Sequence, residues 1–261
     1  MWRCATNARP SPPGADALLL PAVDWQAPWF APLRELGLAV ARRVGSGASV
    51  AQALNAQPSE LNHRFVAAEE QGDEAYESFV ARTSCVPTRD NLHDFFNGLV
   101  WLRYPALKRR ANLAHAREIG QHPVAATRGA VRDRLTLFDE NGALLDAPPE
   151  LTRALHQRDW HELFIGQRPL WRQARLTIVG HALLEKLVQP RKAITAHVWL
   201  GSAEPDSNLL DPASRPFAPL PVLGVPGWWL GNEGPGFYDD AAVFRPAGSP
   251  RSKGTARPCR S

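Results

Sequence analysis

The chain has 261 residues, 44% of them hydrophobic and 21% charged, with 24 prolines and 3 cysteines. It is long enough to bury a sizeable core in one large domain, and three scattered cysteines exclude a disulfide framework or a CxxC metal site. The net charge of +4 is concentrated: residues 245–261 hold 5 basic residues and no acidic one, so residues 1–244 carry −1 and extensive duplex nucleic-acid binding is not expected.

Taken in order, residues 1–15 read as a disordered lead, residues 16–246 as a single globular domain and residues 247–261 as a basic disordered tail. The apolar run 17–23 is short and lacks a cleavage pattern, and no run of 18 apolar residues exists, so the expectation is a cytoplasmic protein with no membrane partner. Trp25, Trp29 and Phe30, interleaved with Pro28 and Pro32, suit an aromatic anchor for an N-terminal arm. Apolar residues from Leu33 to Val44 predict a helix closed by Gly45, and Ser49 a cap for a second short helix. Segments 64–66 and 76–81 predict short strands.

Beyond Pro87 the spacing of Leu92, Phe95, Phe96, Leu99 and Val100 predicts a helix with one broad buried face, capped by Asp90 or Asn91. Pro105 then opens another helix. Asp139-Glu140-Asn141-Gly142, between the apolar runs 135–138 and 143–145, predicts a hairpin. A calcium loop does not fit there, because the glycine falls at the fourth position and the closing glutamate is absent. Segment 149–173 reads as helical pieces, 176–179 and 194–200 as strands, and 181–187 as a helix stopped by Pro190. Residues 202–246 read as a long Pro/Gly-rich loop. The expected fold class is α+β: a single domain of short helices around a small, mainly antiparallel sheet.

The blocks VPTRDNLHDFFNGLVWLRYPALKRRAN, RDRLTLFDENGALL, GHALLEKL and LPVLGVPGWW, then FYDD and VFRP, occur in that order. Together they resemble the bacterial family known as domain of unknown function 3025, across roughly residues 25–246. The resemblance implies a bacterial, cytoplasmic, single-domain protein. It brings no activity, substrate or catalytic residue.

Candidate chemistry therefore comes from the residues. His93, Asp94 and Asn97 lie on one helix edge and suit a general base or a metal, with Arg89 upstream to position an anion. The competing reading is a helix start whose polar groups satisfy each other. His181 and Glu185, four apart, can reach one point from one helix face, as zinc, manganese or magnesium ligands do and as ordinary surface pairs also do. His197 is the further ligand candidate, and the pair gains weight if the chain brings His93, His115 or His197 to that point. Lys108, Arg109 and Arg110, between Arg103 and Arg117 and beside Trp101 and Tyr104, form a cationic strip suited to an anionic small molecule or an acidic partner. Cys85 is weighed as a nucleophile and Asp239–Asp240 as paired carboxylates; a buried small side chain and a turn are the simpler readings.

Two expectations follow. One is a hydrolase-like enzyme, using a divalent metal and acting on a phosphoester, built on Arg89, His93, Asp94 and Asn97 with His181, Glu185 and His197 at the metal. The other is a non-catalytic binding or scaffold protein working through the Arg103 to Arg117 face.

Overall fold

A computed structural model describes residues 22–59, 62–121, 129–200 and 217–247. The expected lead and nearly all of the expected basic tail lie outside these residues, as does the first part of the expected 202–246 loop.

Buried aromatics start the core. Trp25, Trp29 and Phe30 are buried, and Phe30 stacks on Phe96 with centroids 5.6 Å apart. Helix α1 (Arg34–Gly45) follows, then α2 (Val50–Asn55). The Ser49 side chain accepts the Gln52 N–H while the Gln52 side chain accepts the Ser49 N–H, a reciprocal capping box. Strand β1 (Arg64–Ala67) pairs in parallel with β2 (Cys85–Thr88), and α3 (Tyr76–Thr83) lies between them in the chain. The strand expected at 76–81 is thus a helix. Its aromatic and β-branched residues favour a strand locally, but Tyr76, Phe79 and Val80 have helical spacing and pack inward.

Helix α4 (Leu92–Arg103) is the centre of the domain. Phe95, Phe96, Leu99 and Val100 are completely buried, and Gly98 lets α2 approach, since a Cβ there would meet Leu54. Asn91 caps α4 by accepting the Asp94 N–H; Asp90 accepts the Val50 N–H and so caps α2 instead. Helix α5 (Pro105–Gln121) opens on its proline, and α6 (Ala130–Asn141) runs straight into β3 (Gly142–Asp146). The hairpin expected around Asn141-Gly142 is therefore a helix-to-strand junction.

After α7 (Pro149–Gln157) come β4 (Arg175–Ile178), α8 (His181–Lys186), β5 (Thr195–Leu200) and β6 (Phe217–Pro221). Their sheet has the order β4-β3-β5-β6, with β3/β4 and β5/β6 antiparallel and β3/β5 parallel. The fold is α+β, with small sheets; the four-stranded one is mixed, two of its three pairings being antiparallel. β6 lies within the stretch expected to be loop. Among the described residues no helix is long and apolar enough to cross a membrane.

Candidate metal centre

Four helices turn polar stripes toward one cavity of about 370 Å³. From α4 come His93, Asn97 and Trp101, spaced four apart and thus on one face. From α5 come Lys108, Asn112 and His115, all buried although the sequence places the first of them on a solvated basic strip. Helix α6 contributes Asp139 and Glu140 from its last turn, and α8 contributes His181 from its first. Tyr76 and Glu77, at the start of α3, close the far end.

At one end the histidines meet. His181 Nε2 lies 2.9 Å from His93 Nε2, with the rings nearly perpendicular at 77°. His93 Nδ1 is 2.9 Å from Glu185 Oε2. His181 Nδ1 faces Asp139 Oδ2 at 3.7 Å, too far for a hydrogen bond, and Glu140 Oε1 lies 3.7 Å from His181 Nε2. One potential ligand atom from each of His93, Glu140 and His181 falls within 4.8 Å of the others.

Position follows from local structure. Gly180 can have no side chain, because a Cβ would sit 2.4 Å from the Gly142 nitrogen and 2.6 Å from the Glu140 carbonyl oxygen. That close crossing sets the first residue of α8 against the last turn of α6. Asp139 is fixed by Lys108, whose ammonium lies 2.5 Å from Oδ1 and over the Trp101 ring.

The electrostatics follow the same arrangement. Burial pushes the His181 pKa down to about 4, against the pull of Asp139, so the ring is neutral near pH 7. Burial would raise the Asp139 carboxyl, but Lys108 and His181 outweigh it and hold it below the usual range. Glu140 is raised, first by burial and then by the charge of Asp139. Burial also lowers His115.

The residues expected at the site divide. His93 and His181 come together, from positions 88 apart in sequence. Glu185 reaches the cluster through its contact with His93 Nδ1. His197 is not brought there: Ala196 and Val198 face the main core, so strand alternation turns His197 the other way, with Trp199 of the second core cluster. Asp94 and Arg89 border the cavity but engage each other, since Arg89 donates to Asp94 from its backbone N–H at 2.7 Å, from Nε at 2.9 Å and from Nη2 at 3.2 Å. Asn97 donates through Nδ2 to the Tyr76 hydroxyl, which also accepts from Trp101 Nε1. Cys85 is buried beside Val66 and Phe79, outside the cavity.

Sequence reasoning missed Glu140, Asp139 and Asn112 as site residues; it placed Lys108 only within the basic strip and His115 only among the histidines that could converge. A signal existed on α5, where Lys108, Ala111, Asn112 and His115 recur at three-to-four spacing on the face a bundled helix would bury.

Fold and cavity together define an α+β protein with a buried, histidine-bearing polar site between helices. The chain belongs to the family described as "Protein of unknown function (DUF3025)", which it matches over residues 63–213 and 206–248. No curated protein and no solved structure matches the chain.

Proposed function

We propose that this protein is a divalent-metal-dependent hydrolase, with His93, His181 and Glu140 as the metal ligands. The His93–His181 contact carries the reading. Glu185, His93, His181 and Asp139 form a row with three gaps, and carboxylates, which only accept, stand at both ends. When both imidazoles are neutral they bring two protons to three gaps. If each ring turns its proton toward its carboxylate, two Nε2 lone pairs face each other at 2.9 Å. If His181 donates to His93 instead, its Nδ1 lone pair is left facing Asp139, and that atom has no hydrogen-bond partner. A cation beside the two Nε2 atoms removes the conflict.

The two carboxylates then take the role that outer partners play for ligating histidines, fixing tautomer and ring orientation. Two histidines and one glutamate leave a coordination position toward the cavity, the open pattern of hydrolytic zinc sites. A metal held there would acidify a water molecule and polarise a substrate oxygen. Lys108 supplies the positive charge inside the cavity, one residue away from His181 through Asp139. A phosphoester substrate would need Lys108 in the place expected of Arg89, whose guanidinium Asp94 occupies.

The test is calorimetry of chelator-treated full chain with Zn²⁺ and Mn²⁺, followed by turnover assays on carboxylic, amide and phosphate p-nitrophenyl compounds. One ion per chain is expected, with binding lost in His181→Ala and in His93→Ala. Absence of binding, or binding that survives both substitutions, overturns the metal site; a loaded protein that cleaves nothing overturns the hydrolase.

A separate groove of about 810 Å³, lined by Arg103, Tyr104, Leu107, Arg175, Leu176 and Trp228, favours a second reading, a binding site for an acidic partner. Arg103 there stacks on Tyr104 and donates to the Pro32 carbonyl. Charge reversal at Arg175 should abolish capture of an acidic peptide if this reading holds.

A further inference from the structure

We infer that the end of the cavity remote from the histidine pair is a subsite for a positively charged amino group, and that the natural ligand is a small amine-bearing compound. The subsite rests on its own residues; only the statement that such a compound is also hydrolysed rests on the metal reading above.

Asn112 is 6% exposed and lines the cavity. Its Nδ2 donates to the Glu77 backbone carbonyl at 3.1 Å. That partner can only accept, so turning the amide over would set oxygen against oxygen. The Asn112 Oδ1 is therefore an acceptor, and it has no donor. Asn97 Oδ1 and His115 Nδ1 are also buried without a partner and border the same cavity. A buried polar atom left unsatisfied forfeits its hydration without a replacement partner. Several around one cavity mark groups held ready for something that enters it.

Glu77 defines the charge of that entrant. Its carboxylate is 3.8 Å from His115 Nδ1, beyond hydrogen-bond distance. Among the described residues no ammonium or guanidinium pairs with it. Lys108, the buried cation lining this cavity, is held by Asp139 and the face of Trp101. A carboxylate and a fixed amide oxygen lining one cavity repel phosphate and carboxylate groups and favour an entrant with several N–H donors on one centre. An ammonium carries three donors and the matching charge. The Tyr76 hydroxyl, already accepting twice, adds a donor for a polar atom next to that amine. With about 370 Å³ available, the ligand has room for an amine and one further group reaching the histidines.

The test uses ligand-observed saturation-transfer NMR on the full chain without added metal. The probes are benzylamine and alaninamide, each against its N-acetyl form. The free amines are expected to bind, and their acetylated forms at least ten-fold more weakly. Glu77→Gln, nearly isosteric, should weaken amine binding ten-fold or more with an unchanged melting temperature, whereas His197→Ala should have no effect. If Glu77→Gln does not fold, Asn112→Ser takes its place with the same expectation. Failure of every amine to bind, equal binding of acetylated forms, or full affinity in the folded variant overturns the subsite. The metal site is judged separately, by ion binding to His181→Ala.

Discussion

Near neutral pH the His181 ring is uncharged in the folded chain, because burial outweighs the carboxylate beside it. In the unfolded chain a histidine titrates near 6.5. Between that value and about 4 the unfolded chain holds the extra proton. The contribution of this residue to stability is therefore complete above pH 6.5 and is lost as the pH falls through about 4. Thermal unfolding of chelator-treated protein should show a melting temperature that declines over this window, and His181→Asn should flatten the decline; an equally steep variant would contradict the assignment. Metal affinity gives a graded series at the same scale. Glu185→Gln, which removes only the orienting partner of His93, should weaken binding by about 10- to 100-fold. His197→Ala should leave it unchanged. Bonds of about 2.0–2.1 Å at a tetrahedral angle hold two nitrogens about 3.3 Å apart, so a metal-loaded crystal structure should show the two Nε2 atoms moved apart from 2.9 Å.

The elements that carry the site depend on a few local devices. Ser49→Ala removes one half of the α2 capping box and should cost about 1 kcal/mol in chemical denaturation. Asp90→Ala should cost a comparable amount, although it lies 40 residues away, because its carboxylate accepts the Val50 N–H at the same helix start. Gly98→Ala would drive a methyl group to 2.2 Å from Leu54 Cδ1 and should cost about 1–3 kcal/mol by forcing α2 from α4. Much of this layer was legible in the sequence. The α4 periodicity, its Asn91 cap, the Ser49 cap and the β5 strand all follow from local spacing and turn chemistry. The misreadings have physical causes. Tyr76 to Val80 satisfies strand propensity and helix periodicity together, and packing against α5 decides between them. Asn141-Gly142 has the composition of a hairpin turn, yet Gly142 is extended at φ −75° and begins the strand directly. The buried stripe of α5 looked solvated because lysine, asparagine and histidine normally face water. The site itself closes between positions 93, 140 and 181, and no local pattern encodes which distant residues converge.

Across the whole molecule the proposed ligands belong to α4, α6 and α8, so an ion would tie together three helices that otherwise meet through packing and a few side-chain hydrogen bonds. Saturation at 100 times the dissociation constant should add about 2.7 kcal/mol to the unfolding free energy, read as a metal-dependent rise in melting temperature that His93→Ala abolishes. The Lys108–Asp139 pair bears on the economy of the fold. An ion pair taken out of water is often no more stabilising than well-packed apolar side chains of the same volume, and replacing both partners can gain about 1–4 kcal/mol. Lys108→Met combined with Asp139→Leu should accordingly hold or raise stability in a denaturation experiment. A chain that becomes sturdier on losing these charges has been keeping them for a reason other than folding. Resistance to denaturant can thus reveal that the cavity has a task before any substrate is in hand.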